Sequence, residues 1–208
     1  MNLRKWFFLF WTTLAVGAVT TAVSGLIMQI TDSEFGFLGI EATGFNALMM
    51  ALVGTMIGAF SHMGFFAYLT LNYIALSILR KKYLWNTLQA YTTLFVLLGL
   101  GYILYENREQ VGGWLFYVLP VVLFALSWAV SVIKVKRTNQ SALVPTLFLM
   151  VVATVIEGWP ALSGEESNAN AVIFMFIPLF VCNAYQILQL HRILKQPEAD
   201  SAVTKSVS

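Results

Sequence analysis

Apolar residues run along this chain in six long blocks, near positions 6–30, 45–79, 84–105, 113–133, 142–158 and 171–191, and every Lys and Arg falls outside them. A helix needs roughly 20 predominantly apolar residues to cross a bilayer, so each block predicts a transmembrane helix. The pattern predicts an all-α, polytopic membrane protein: a bundle of six helices over residues 1–195, followed by a short polar tail, 196–208, expected to be disordered. The first block continues well beyond the core of a secretory signal and lacks a small-residue cleavage site, which predicts an uncleaved first helix.

The second block is too long for one perpendicular crossing. At about 1.5 Å per residue it would reach roughly 50 Å against a hydrocarbon core of about 30 Å, so a kink, a tilt or an interfacial segment is expected. Gly54, Gly58 and Gly64 mark where that helix can bend or be closely approached, and Pro120 and Pro178 lie inside later blocks that they should bend.

Charge orients the bundle. Of the twelve Lys and Arg residues, all but Arg108 fall at the amino terminus (Arg4, Lys5), at two junctions (Arg80, Lys81, Lys82; Lys134, Lys136, Arg137) or in the C-terminal segment (Arg192, Lys195, Lys205). Asp32, Glu34, Glu41, Glu106, Glu109, Glu157, Glu165 and Glu166 sit in or beside the alternate junctions. Cytoplasmic loops carry the excess of Lys and Arg, so both termini are predicted inside. Arg80, Lys81, Lys82, Arg192 and Lys195 then face inner-leaflet lipid or an acidic partner.

Composition agrees. The chain is 59% hydrophobic and 11% charged, and its mean hydropathy is +0.76, more apolar side chain than a soluble core of this length could hide. The joins hold no soluble catalytic domain. One cysteine, Cys182, and two histidines make a protein metal cage an unpromising reading, and no phosphate loop, paired histidines or nucleophile turn appears. Neither an enzyme nor a cofactor is expected.

The candidate residues each carry two readings. His62, mid-block in Ser61-His-Met-Gly64, is an ionisable group in lipid; it is either a functional centre or simply hydrogen-bonded to Ser61, Asn72 or a neighbouring backbone. Glu157 precedes Gly158, Trp159 and Pro160, which predicts that the fifth helix stops there and its carboxylate reaches the outer interface, as a solvated charge or a ligand contact. Asn183, Gln186 and Gln189 recur every third residue on the sixth helix, as glue within the bundle or as a surface for a partner. Gly54-Thr-Met-Ile-Gly58 and the weaker Ala18-Val-Thr-Thr-Ala22 fit close helix packing, inside the monomer or with another protein.

Several stretches carry a resemblance: Ser61-His-Met-Gly-Phe-Phe-Ala-Tyr-Leu-Thr70, Leu84-Trp-Asn-Thr-Leu-Gln89, Pro145-Thr-Leu-Phe-Leu-Met150 with Val155-Ile-Glu157, and Cys182-Asn-Ala-Tyr-Gln186 with Leu190-His-Arg192. They resemble the KinB-signalling pathway activation (KbaA) family of endospore-forming bacteria, over nearly the whole chain. The resemblance implies a plasma-membrane accessory that promotes activation of the sensor histidine kinase KinB, which feeds the sporulation phosphorelay, and it transfers no catalytic residue. The competing expectation is a small-molecule carrier such as the substrate-binding membrane subunit of a vitamin importer, with which Ala18 and Ala22 are compatible.

Overall fold

The computed structural model describes residues 3–32, 35, 42–163 and 168–194. Every regular element among them is helical. The six long helices are α1 (Leu3–Thr31), α2 (Thr43–Leu79), α3 (Lys82–Glu106), α4 (Leu115–Arg137), α5 (Gln140–Glu157) and α6 (Ala169–Leu194), and each is long and apolar enough to cross a membrane. Short helices at Arg108–Val111 and Trp159–Ser163 sit in the joins.

The 37 residues of α2 form one unbroken α-helix, which ends where Arg80 takes a left-handed conformation at φ 53°. Gly54 and Gly58 admit α1. A methyl on Gly54 would overlap the carbonyl of Gly17 and lie 2.8 Å from the Cα of Ala18, and one on Gly58 would lie 2.9 Å from the carbonyl of Thr13. The matching face of α1 is buried at Leu9, Thr13, Gly17 and Thr21, a four-residue spacing that lines one side of a helix. Gly17, Ala18 and Thr21 therefore meet Gly54 in this seam, with Gly17 and Thr21 buried. The hydroxyls on it return to their own helix: Thr13 donates to Leu9 O and Thr21 to Gly17 O, both at 2.8 Å, so neither hydroxyl is left unpaired in the seam.

The centre of the bundle is α5. It starts as a 3-10 turn at Gln140–Ala142, runs as α-helix from Leu143, widens to a π-helix at Leu149–Ala153 and returns to α-helix at Thr154–Glu157. Phe148, Leu149, Met150, Val151 and Val152 are all buried. One apolar cluster joins Val151 and Val155 to Leu100, Leu104, Leu115 and Phe176. A second joins Leu149 and Met150 to Leu9, Phe65, Tyr68 and Ile187, nearer the end that carries the amino terminus.

The basic junctions gather at that end. Lys82 Nζ donates to Ser141 Oγ at 3.1 Å, tying one basic junction to the other, and Arg4, Lys5 and Arg192 line a single groove of about 600 Å3 together with Gln189. At the opposite end Asn170 Nδ2 donates to Asp32 Oδ2 at 3.0 Å, fastening the start of α6 to the end of α1. Glu34, Glu41, Glu165, Glu166, Lys195 and the tail 196–208 lie outside the described residues.

Candidate functional site

Between the two apolar clusters, three helices bring polar side chains together: Ser61 and His62 from α2, Thr154 and Glu157 from α5, Asn183 and Gln186 from α6. The π-helix explains the contribution of α5. Its extra residue per turn resets the register of the helical turn after it, and Thr154 and Glu157, three residues apart, then share the face toward α6.

Five hydrogen bonds connect the set. His62 Nδ1 lies 2.9 Å from Gln186 Oε1; Gln186 Nε2 donates to Ser61 Oγ at 2.7 Å; Ser61 donates to Asn183 Oδ1 at 3.0 Å; and Asn183 Nδ2 donates to Glu157 Oε2 at 2.9 Å and Thr154 Oγ1 at 3.1 Å. The pattern assigns the tautomer. With the Gln186 amide nitrogen committed to Ser61, its oxygen faces His62, so Nδ1 carries the proton. Every donor in the chain then points from His62 toward Glu157.

The physics of this arrangement limits what it can do. A primary amide neither takes up nor releases protons under ordinary conditions, and Gln186 and Asn183 stand between imidazole and carboxylate. The row couples the two ionisable groups through aligned dipoles and is not a proton conduit. Hydrogen bonds between membrane helices contribute on average about 0.6 kcal/mol each, up to about 1.7. Five of them dictate the mutual register of α2, α5 and α6 more than they strengthen the bundle. Rings enclose the His62 end, with Phe66 and Phe10 edge-on at centroid distances of 4.8 and 5.3 Å.

The Glu157 end is different. Its Oε1 is buried and has no hydrogen-bond partner among the described residues. It rests over Gly64, where a Cβ would overlap it. The fifth helix does stop at Glu157, with Gly158 at its C-cap, but the expectation that its carboxylate reaches the outer interface is corrected. A further helical turn, Trp159–Ser163, follows Gly158, and the carboxylate turns inward to meet Asn183 and Gly64, both well inside their helices. Gly158 closes against Phe176, whose ring would meet any side chain there at 2.5 Å. The Gly-Trp-Pro signature thus records both the end of α5 and this close approach.

Of the residues singled out by sequence, His62, Asn183, Gln186 and Glu157 meet in one network, with Gly64 beneath it. Gly54 and Gly58 lie apart, in the α1–α2 seam. Gln189 lines the basic groove. In sequence Ser61 stands out only as a neighbour for His62, Thr154 is an ordinary hydroxyl residue by composition, and Lys134, outside the network, reads as one more junction cation. Lys134 is in fact buried, and its Nζ donates to the carbonyl of Ile187 at 2.6 Å, which pins α4 to α6.

No group of three or more His, Cys, Asp or Glu side chains that could hold a metal ion occurs among the described residues. No solved structure matches the chain. The chain is 37% identical over 187 residues to the KinB-signaling pathway activation protein of Bacillus subtilis (strain 168), an alignment covering 87% of this chain and 92% of that relative. Residues 17–193 match the family described as KinB-signalling pathway activation in sporulation, a range that takes in α2 to α5 and all six members of the polar network. The chain belongs to that family, KbaA.

Proposed function

We propose that this protein is a non-enzymatic, six-span accessory of the bacterial plasma membrane, with both termini in the cytoplasm, that promotes activation of the sensor histidine kinase KinB by packing against it within the bilayer. Family membership supports the pathway. The observation that supports the mode of action is how the polar side chains are used. The polar groups that reach the centre of the bundle hold α2, α5 and α6 in one register, while large apolar side chains stand outward on the flank of α2 at Leu52, Met56, Phe60 and Met63. A bundle with a stiffly registered interior and an apolar flank is suited to bias another membrane protein between two states. A change of a few kcal/mol in relative stability is enough to switch its output.

Gly54 and Gly58 face α1, so the contact with a partner belongs to other positions. Cysteines introduced at Met56, Phe60 and Met63 are expected to cross-link to KinB in membranes, and the two proteins to co-purify in detergent. Failure to associate, together with normal KinB-dependent sporulation after deletion of the gene, would remove the proposal. Orientation is tested separately. The native Cys182 is buried and gives little background, so a cysteine placed after Lys136 should resist an impermeant label in intact cells. Labelling there would reverse the assignment of the termini.

A further inference from the structure

A crevice of about 340 Å3 lies between α2 and α5, on the side of Glu157 away from the amide network. Ala67, Leu71, Val152, Ala153 and Ile156 line it with hydrocarbon. Two lining residues bear polar side-chain atoms, Tyr68 and Glu157. Tyr68 donates its hydroxyl to the carbonyl of Pro145 at 3.2 Å, whereas Glu157 Oε1 has no hydrogen-bond partner among the described residues. Ile156 is 66% exposed and Leu71 46%, so the rim faces the bilayer rather than the bundle interior.

A carboxyl oxygen beside hydrocarbon with no donor is unfavourable, and in membrane segments such a group characteristically marks a ligand or ion pathway. Here its orientation is held by the 2.9 Å bond from Asn183 to the other oxygen, and by the π-helix that sets the register of α5. π-helical turns of this kind are frequent at functional sites. The crevice is within the size range of small-molecule pockets, about 300–1,000 Å3, and has their usual make-up of apolar walls with a single orienting polar group.

We infer that this crevice binds a small amphiphilic amine, which enters from the bilayer, presents its N–H groups to Glu157 and lays its hydrocarbon against Val152, Ala153 and Ile156. The complement follows from the ionised form of the group. A carboxylate accepts and does not donate, so its ligand supplies donors, and an ammonium supplies three as well as the opposite charge that favours that form. An alkanol offers one donor and no charge, and a fatty acid brings like charge.

The site stands independently of any contact with KinB, and its test does not use sporulation. The purified full chain in a non-ionic detergent is heated with hexylamine, hexanol or hexanoate as the probe. Hexylamine is expected to raise the unfolding midpoint saturably, hexanol much less and hexanoate not at all. Glu157→Gln keeps an acceptor toward Asn183 but removes the charge, and should weaken the apparent affinity for hexylamine at least tenfold. Ala153→Phe fills the crevice while leaving the carboxyl group in the chain, and should abolish the effect even if Glu157→Gln does not fold. Equal shifts from hexylamine and hexanol, an amine shift that survives Ala153→Phe, or no saturable shift with hexylamine would each overturn the assignment. So would a cysteine at Ile156 that cross-links to a second copy or another protein while hexylamine has no effect.

Discussion

The Oε1 of Glu157 occupies the space that the Cβ of any residue other than glycine would claim at position 64. One backbone position on α2 thereby decides whether α5 can deliver a carboxyl group to the centre of the bundle.

Gly64→Ala is therefore expected to expel the carboxylate. Overpacking costs roughly 1–3 kcal/mol and the loss of the Asn183 bond adds to it, so the midpoint of thermal unfolding in detergent should fall clearly. In a Glu157→Ala background the same substitution should cost less by about 1 kcal/mol or more, because the colliding atom is gone. Equal costs in the two backgrounds would show that the residues do not share this space.

Gly54→Leu should be strongly damaging, since the obstacle is the backbone of α1 and cannot rotate away. A loss of roughly 3 kcal/mol or more is expected. Gly99 on α3 is the control. Nothing lies within 4 Å of a Cβ placed there, so Gly99→Ala should stabilise by about 0.5–1 kcal/mol through helix propensity. Comparison of the two melting midpoints separates close packing from backbone entropy.

Asn183→Leu and Gln186→Leu both remove an amide from α6, but they strand different partners. Without Asn183, Ser61, Thr154 and Glu157 all lose a bond; without Gln186, Ser61 can still donate to Asn183 and His62 alone is disconnected. The cost of an unmatched buried polar group is about 1–3 kcal/mol. Asn183→Leu should therefore lower the unfolding midpoint more than Gln186→Leu, and the reverse order would contradict the connectivity.

Lys134→Ala removes a charge-assisted bond to the carbonyl of Ile187 and should cost about 1.5–3 kcal/mol, whereas Lys136→Ala, at an exposed position two residues on, should stay within about 0.5 kcal/mol. Thermal unfolding of the two variants side by side is the measurement.

That contrast shows what a linear reading can reach. Lys134 and Lys136 look alike in sequence, both basic residues at the end of an apolar block, and only the neighbouring α6 turns one of them inward. Glu157 is the same problem in another form. Gly-Trp-Pro after it rightly marks a helix end, but only the packing of α2 and α6 turns the carboxylate inward, and Gly158 is glycine because Phe176 presses on it. The stripe of Asn183 and Gln186 was visible from its spacing. Its bonds to Ser61 and Thr154 were not, because a hydroxyl residue in a helix ordinarily bonds its own backbone, as Thr13 and Thr21 do here.

The number of long helices and their approximate bounds are legible in the sequence because hydrocarbon admits backbone only when its own hydrogen bonds are satisfied, and that demand is met within each apolar block alone. The spacing of small residues likewise announces that helices approach closely, since only hydrogen or a methyl group leaves room. Which helices meet, and which polar atom finds which partner, is set by contacts between residues far apart in the chain. The pairing of His62 with Gln186, the seat of Glu157 over Gly64 and the crevice beside it exist only once α2, α5 and α6 have packed, with a π-helical turn at Leu149–Ala153 that no periodicity announced.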